Sequence, residues 1–459
     1  MKTRPAEGRL SEGMVLAPVA LGTMLAPLNS TMIAVAIPSL LGDFDRSLAW
    51  GSWIVTSYLV AMAAVQPLGG ALGDRYGRRR LFLIGLALFL VATVVAALSW
   101  RIEVLLVART VQAISGAAAI PNGTALVRSL VPAERRGRAF GNVGSAIAVA
   151  AGLGPPVGGI LTAALGWRWI FAANILLLAP ALLLGWRLPA DSPAPRTGRF
   201  DLRGAALLTL GLISLVLSLT AWRLPGAPLL LAPVLGLFAA AAGFALVRHS
   251  RRFPDPVLNL ALFRARGFTP AVATVLLSNL AMYTLLLSLP LFLTAWSLWD
   301  SARIGLLLAG LSLPTIVFAP LGGRLSDRLG RRAPAVVGMV LITLGALPFL
   351  AVYPTWSWLV YTGPLVLIGA GLGLSMAPVQ TTAVETARSS QAGQASGLFS
   401  TMRYLGSILG SSVMAAVLSG AVPPVGSFRV LYAVLFLSAC GATIAALRLP
   451  KWLDKAAPR

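Results

Sequence analysis

The stretch GALGDRYGRRR, from Gly70 to Arg80, recurs in the second half of the chain as GRLSDRLGRR, from Gly323 to Arg332. Each copy lies between two long apolar runs. A duplicated membrane protein places a loop of the same chemistry on the same side of the bilayer twice, and many secondary transporters are built from such repeats. The sequence therefore predicts a duplicated membrane protein that moves solutes.

The composition excludes most other classes of protein. Hydrophobic residues make up 57% and charged residues 11% of the 459 residues, whereas about a quarter of an ordinary soluble domain is charged. The formal net charge of +23 does not predict nucleic-acid binding, because the basic residues are spread through the loops instead of clustering with aromatic residues. One cysteine, Cys440, and one histidine, His249, predict no disulfide and no metal site.

Enzymatic activity is not expected. The sequence contains no Gly-x-x-x-x-Gly-Lys-Ser/Thr phosphate loop and no nucleophile elbow. The apolar segments leave little chain for a soluble catalytic domain. We expect neither an enzyme nor a bound cofactor.

Apolar stretches of about 20 residues, long enough to cross about 30 Å of hydrocarbon, occur about fourteen times. They lie near 14–37, 50–72, 81–99, 102–126, 138–163, 167–186, 203–222, 228–247, 267–295, 303–323, 334–351, 356–378, 394–420 and 427–449. The first has full length and no small-residue cleavage site after it, so we interpret it as a retained span.

The basic residues predict the orientation. An even number of spans places both termini on one side, and most lysines and arginines lie in the termini and in alternate loops. The excess of positive charge marks the cytoplasmic side. We therefore expect a multi-pass protein of the cytoplasmic membrane with both termini in the cytoplasm. Six arginines lie in the opposite loops: Arg46, Arg101, Arg168, Arg223, Arg303 and Arg429.

A linker separates the two halves. The segment 188–203 is rich in proline and charge, two further apolar runs follow, and a second polar stretch begins at Arg248. Removing this insert leaves six spans on either side. The predicted organisation is an N-terminal six-helix bundle at 1–187, a cytoplasmic linker with two inserted membrane helices at 188–266, and a C-terminal six-helix bundle at 267–459.

The repeated loop resembles the signature of a known transporter family. The fourteen-helix drug:proton antiporter branch of the major facilitator superfamily has Gly-x-Leu-x-Asp-Arg-x-Gly-Arg-Arg after its second helix, matched here by Gly70, Leu72, Asp74, Arg75, Gly77, Arg78 and Arg79. The resemblance covers nearly the whole chain. It implies an all-α major facilitator fold with two six-helix bundles plus two extra helices, and proton-coupled export of amphipathic compounds (multidrug efflux) by alternating access.

The chemistry of this loop indicates a gating role. An aspartate at a helix end can pair with arginine and cap a neighbouring helix terminus, which holds one conformation closed. The alternative is a basic loop that only sets the membrane orientation. The predicted gating residues in the two copies are Gly70, Asp74, Arg75, Gly77 and Arg78, and Gly323, Asp327, Arg328 and Gly330.

The fifth span contains GLGPPVGG, which resembles the Gly-Pro-rich signature of exporters in this superfamily. Small residues let helices approach closely, and adjacent prolines bend the span. The alternative is a kinked packing helix. The residues predicted to act in the conformational change are Gly152, Gly154, Pro155, Gly158 and Gly159.

The first span departs from the branch. It contains LNSTMIAVAIP, so that Asn29 stands where the branch has an aspartate, and no aspartate or glutamate lies in a predicted membrane core. A proton-driven antiporter needs a group that is protonated and deprotonated in turn. Only the peripheral acids Asp74 and Glu103 remain as candidates for proton coupling.

Two arginines lie inside predicted spans. In the fourth span, Arg109 and Gln112 match part of the family pattern Arg-x-x-Gln-Gly-x-Gly, and the thirteenth span contains Arg403. Either a functional role or hydrogen bonding to helix carbonyls fits Arg109, and Arg403 either lines the cavity or extends to the interface. Two buried cations without a buried anion favour neutral or anionic amphiphiles as substrates.

Candidate cavity residues follow from helical spacing. Tyr58, Met62 and Gln66 recur every four residues on the second span, and Asn279 and Tyr283 are four apart on the ninth. A polar stripe in a membrane helix faces protein, either around substrate or in helix packing. With Asn29, Arg109, Gln112 and Arg403, they form the predicted cavity.

A second class of function stays open. A facilitator, or a metabolite or lipid carrier of the same fold without proton antiport, is favoured by Asn29, whereas the exporter signature and the two loops favour active export. The expected partners are a small amphipathic substrate, the lipid bilayer and protons, and the protein is expected to be a monomer.

Overall fold

The structure is a computed structural model of the 459-residue chain. It describes residues 12–45, 48–189, 201–221, 228, 230–254, 256–297, 299, 301–388, 391–418 and 424–451. These residues form helices with turns and short loops between them. Lipid offers the backbone no hydrogen-bond partner, so apolar runs fold into helices that satisfy their own N–H and C=O groups.

Fifteen α-helices lie in the described part of the chain. They are α1 (Glu12–Asp43), α2 (Leu48–Tyr76), α3 (Arg78–Ala97), α4 (Ile102–Leu130), α5 (Arg136–Leu165), α6 (Arg168–Gly185), α7 (Leu202–Thr220), α8 (Leu231–Ser250), α9 (Ala261–Arg264), α10 (Phe268–Trp296), α11 (Ser301–Leu329), α12 (Arg332–Ala346), α13 (Trp358–Glu385), α14 (Ala392–Val417) and α15 (Val425–Leu447). Short 3-10 helices lie at Ala133–Arg135 and Leu347–Ala351.

The helices confirm an all-α, multi-pass membrane protein. Within the described residues, eleven helices are long and apolar enough to cross a membrane, and α5 makes twelve if its two bent parts form one span. The two long helices outside this set are α2 and α14, which lie between the two halves of the molecule. The prediction of fourteen membrane-spanning helices therefore stays a prediction.

The helices pack in two groups. Helices α1–α6 form the first group, in which α1 packs against α5 and α6, and α4 against α2 and α3. Helices α10–α15 form the second group, in which α13 packs against α11 and α12, and α10 against α14 and α15. Each group has its own buried apolar core, centred on Phe82 and Phe89 in the first and on Phe292 and Phe428 in the second.

Two seams join these groups. The first seam is the contact of α2 with α14, and the second seam is the contact of α5 with α11. Glycines allow the close approach, because the backbones of Gly70 and Gly393 touch in the first seam and those of Gly323 and Gly137 touch in the second. Two of these glycines belong to the repeated loops.

The inserted helices form a hairpin beside the first seam. Helix α7 packs along α8 and also against α2 and α14. Helix α8 lies farther out, and its described buried residues are only Ala242, Leu246 and Ser250. The insert therefore contacts both helix groups through α7.

Candidate gate and buried polar cluster

Asp74 joins the two groups at the end of the first seam. Its carboxylate accepts hydrogen bonds from the backbone N–H groups of Gly393 and Gln394, both at 2.9 Å. Arg78 donates to the same carboxylate through Nε at 3.0 Å. The two N–H groups belong to the first turn of α14, where the helix dipole is positive and attracts an anion. We call this arrangement the first latch.

Asp327 repeats this geometry in the second seam. Its carboxylate accepts hydrogen bonds from the backbone N–H groups of Gly137 and Arg138, both at 2.8 Å, in the first turn of α5. Arg331 donates to the carboxylate at 2.8 Å, as Arg78 does to Asp74. This second latch is the counterpart of the first, so the structure brings both repeated loops to the boundary between the groups.

Glycines permit the sharp turns that carry the latches. Gly77, between α2 and α3, has a φ of 101°, and Gly330, between α11 and α12, has a φ of 89°. Residues with a Cβ rarely adopt such angles, so glycine is needed where each chain reverses direction. Of the other gating candidates, Arg75 is half-buried and Arg328 is exposed.

A third set of contacts lies between the latches. Glu385, the last residue of α13, is 3.2 Å from Arg331 and 3.6 Å from Arg136 of the first group. Arg128, near the end of α4, donates to the carbonyl oxygens of Ala387 at 2.6 Å and Arg388 at 3.3 Å. A cation at a helix C-terminus stabilises the helix dipole. These contacts close the same end of the molecule, which we call the latch end.

Because the Asp74 carboxylate is buried, its charged form depends on the groups that donate hydrogen bonds to it. Burial raises the pKa of this carboxyl group above its ordinary value, while Arg78 and the two N–H donors act in the opposite direction. Loss of a donor would therefore favour the protonated, uncharged form, which binds the helix terminus less well.

The glycine contact in the first seam gives a testable prediction. A Cβ at residue 70 would lie inside the carbonyl group of Gly393, so Gly70→Ala is expected to keep the seam from closing and to reduce transport by at least about tenfold. Transport by reconstituted protein measures the effect. Gly363→Ala on α13, where a Cβ meets nothing within 4 Å, is the matched control and should leave transport unchanged. Equal activity of the two variants would contradict the prediction.

A buried polar cluster lies inside the first group. Asn29 donates to Oε1 of Gln112 at 3.2 Å, and Arg109 donates to the same oxygen at 3.2 Å. Gln112 in turn donates to Thr93 at 2.8 Å. The Arg109 guanidinium lies 4.2 Å from the centroid of the Tyr58 ring, a geometry that stabilises a cation. The structure thus brings together four of the predicted cavity residues.

Arg109 has no carboxylate partner among the described residues. Only 1% of its surface is exposed, and its Nε has no hydrogen-bond acceptor within the described part of the chain. A buried arginine normally pairs with an acid. The amide of Asn29 lies beside Gln112 instead, so the absent acid leaves net positive charge in the cluster.

The remaining predicted cavity residues lie on both sides of the first seam. Met62 and Gln66 are buried, and both polar atoms of the Gln66 side chain lack a partner in the described residues. Arg403 is half-buried, with its guanidinium 5.5 Å from the ring of Tyr404. Tyr404 packs against the cluster of Tyr58 and Met62, which connects α14 to α2.

Other candidates lie in helix contacts. Asn279 and Tyr283 face Gly406 and Gly410 of α14, where packing is tight. On α5, Gly154 and Gly158 face α1, and Gly152 faces Ser312 of α11. Gly159 is half-buried, and the side chain of Pro155 lies outside the described residues. Glu103 is exposed at the start of α4, opposite the latch end.

Several residues that form contacts at the latch end are not indicated by the sequence. Gln394, Glu385 and Arg128 match no motif that we recognised. For Glu385 and Arg128 the only signal is a charge at the end of an apolar run, which is also what an ordinary interfacial residue shows.

Known proteins resemble the chain over most of its length. The profile of the family described as Major Facilitator Superfamily matches residues 19–411. The uncharacterized MFS-type transporter YvkA of Bacillus subtilis is 34% identical over 426 residues, 93% of either chain. The multidrug resistance protein Stp of Mycobacterium tuberculosis is 33% identical over 88% of this chain and 76% of its own. The structure of the human organic anion transporter MFSD10 superposes with a TM-score of 0.67 at 21% identity, over 94% of this chain and 100% of that chain, which shows the fold alone.

Proposed function

The chain belongs to the Major Facilitator Superfamily and is a membrane transporter, and we propose that it exports small amphipathic compounds by alternating access. The observation that carries this proposal is the pair of matching latches, each of which joins one helix group to the first turn of a helix in the other. Such contacts must break when the site opens at that end. The similarity to a multidrug resistance protein supports export.

The units that move are the two bundles predicted from the sequence. In this proposal, residues 1–187 and 267–459 rock against each other, and residues 188–266 supply the inserted helices. The latch end faces the cytoplasm, because the basic loops are concentrated there. The structure then represents the conformation closed to the cytoplasm, with both latches formed.

The charge of the polar cluster favours neutral or anionic substrates. Arg109 is buried without a carboxylate partner in the described residues, and Arg403 lies on helix α14, which packs against α4. A cationic substrate would meet two like charges in a medium that screens them poorly. An anionic group would instead provide the missing counter-ion.

In this proposal a peripheral acid carries the proton. In the described helices each aspartate and glutamate lies within a few residues of a helix end. Asp74 belongs to a latch, and Glu103 lies at the opposite end. A facilitator or carrier without proton antiport is the second candidate, favoured by Asn29 in place of an acid.

The test uses vesicles that contain the purified protein and hold a proton gradient. Neutral, anionic and cationic amphiphiles are added in turn while the internal pH and labelled substrate are followed. Proton release that depends on substrate would support antiport, and transport without proton release would support the facilitator. Transport of lipophilic cations alone would contradict the proposed substrate class. Transport of no amphiphile, with lipid-only vesicles as the blank, would contradict the proposed function.

A further inference from the structure

The side chain of Gln394 connects the first latch to the inserted helices. Its backbone N–H donates to Asp74, and its side-chain Nε2 donates to the carbonyl oxygens of Pro256 at 3.0 Å and Val257 at 3.1 Å. The residue is 2% exposed. One glutamine therefore holds both the latch and the segment that follows α8.

Asp201 fixes that segment to the start of α7. It caps the helix by accepting from the N–H of Gly204 at 2.8 Å, and it also accepts from the N–H of Val257 at 3.2 Å. His249, at the end of α8, lies 2.6 Å from the same carboxylate. The hydrogen bonds thus form one continuous path from Asp74 through the buried residues Gln394, Val257 and Asp201 to the half-buried His249.

Apolar packing strengthens this connection. Val257 packs with Ala71 of α2 and with Ala205 and Leu208 of α7, directly behind the first latch. Farther along the seam, Val216 of α7 packs between Ala63 of α2 and Leu405 of α14. Helix α7 therefore contacts both sides of the first seam. Within the described chain, the packing partners of α5 and α11 belong to the two helix groups, so the second seam lacks this third helix.

We propose that the inserted helix pair is a working part of the gate, and that Gln394 is the positioning residue that couples the pair to the first latch. Opening of the first seam must either break the bonds of Gln394 to residues 256 and 257 or carry the insert along. The insert then stabilises closure of the first seam selectively. This inference rests on the alternating access proposed above.

The test measures opening of each seam without measuring transport. Cys440 is the single cysteine, so Cys440→Ser gives a background free of cysteine. Thr401 and Ser145 offer one reporter for each seam, because each hydroxyl donates to a carbonyl across its seam, to Ala63 at 3.1 Å and to Ile316 at 3.2 Å. Thr401 is buried and Ser145 is half-buried, so each labelling rate is compared with that of the same reporter without further substitution. Thr401→Cys and Ser145→Cys are made separately and labelled with a water-soluble maleimide in lipid nanodiscs, where both membrane faces are accessible.

Gln394→Met keeps the length of the side chain and the backbone bond to Asp74 but removes both bonds to the insert. Labelling at Thr401→Cys is expected to rise about fivefold, the effect of losing about 1 kcal/mol of hydrogen bonding. Labelling at Ser145→Cys should change less than about twofold. Gln391→Met is the control, because the Gln391 side chain makes no capping hydrogen bond at the same helix start.

A second variant tests the path through the insert. Asp201→Asn keeps a residue that caps helices well but weakens the bonds to Val257 and His249. It should raise labelling at Thr401→Cys, and its effect should be smaller in the Gln394→Met background. An unchanged rate at Thr401→Cys, or an equal rise at both reporters, would overturn the proposal. Neither result depends on transport, so failure here is distinct from failure of the proposed function.

Discussion

Replacing Asp74 with asparagine is expected to lower transport by at least about tenfold. Asparagine keeps the shape of the side chain but loses the charge that attracts the first turn of α14 and Arg78. Each charge-assisted hydrogen bond contributes about 1.5–3 kcal/mol, and the amide would also point an N–H group at N–H donors. The closed conformation at the latch end becomes less populated, so the transport cycle stalls.

Transport in vesicles and labelling of Thr401→Cys together measure this change. Asp327→Asn should have a similar effect at Ser145→Cys, because the second latch has the same geometry. Asp45→Asn is the matched control, since Asp45 is exposed and has a φ of 50°, which asparagine adopts as readily. Normal transport by Asp74→Asn with unchanged labelling would show that the latch does not control the gate.

Replacing Asn29 with aspartate is expected to change both the substrate charge and the pH dependence of transport. The new carboxylate would lie beside Gln112, within the cluster that holds Arg109. It would supply the missing counter-ion and a group able to exchange a proton inside the membrane. We expect transport of anionic amphiphiles to fall about tenfold, because the positive charge available to them is neutralised.

Parallel uptake of an anionic amphiphile and its neutral analogue, at several pH values and with a protonophore, measures this outcome. Asn29→Ala is the control, because it removes the hydrogen bond to Gln112 without adding charge. Its preference for anions should match that of the original protein. If Asn29→Asp also keeps that preference and the original pH profile, then the cluster around Arg109 does not determine substrate charge.

The sequence predicted those contacts of the two latches that are local. The two loops predict an aspartate at a helix end that pairs with arginine and caps a neighbouring helix terminus, and the structure shows these contacts at Asp74 and Asp327. The absence of an acid at Asn29 was also evident from the sequence, because the residue types within a predicted span can be listed without knowing the fold.

The rest depended on contacts between distant parts of the chain. Gln394 acts through backbone groups of residues 256 and 257, and Arg128 acts through carbonyl groups beyond α13. Any residue type supplies a backbone carbonyl group, so the sequence does not reveal which residue is the partner. Helical spacing likewise could not separate a cavity from helix packing, and Asn279 and Tyr283 lie against glycines of α14.

The backbone donors of the latches have a consequence for how this protein tolerates change. In each latch the acceptor is a side-chain carboxylate. The donors are the backbone N–H groups of the second and third residues of a helix, which begins at Ala392 in the first latch and at Arg136 in the second. Many substitutions at the second donor, Gln394 or Arg138, would preserve both N–H groups, whereas a Cβ at the first donor, Gly393 or Gly137, would collide with the carbonyl oxygen of Gly70 or Gly323. Insertion of a single residue within the first turn, directly after the donors, would turn these donors by about 100° relative to the rest of the helix and move them about 1.5 Å. The two receiving helix ends should therefore tolerate a change of residue type at the second donor, but neither a side chain at the first donor nor a change of length.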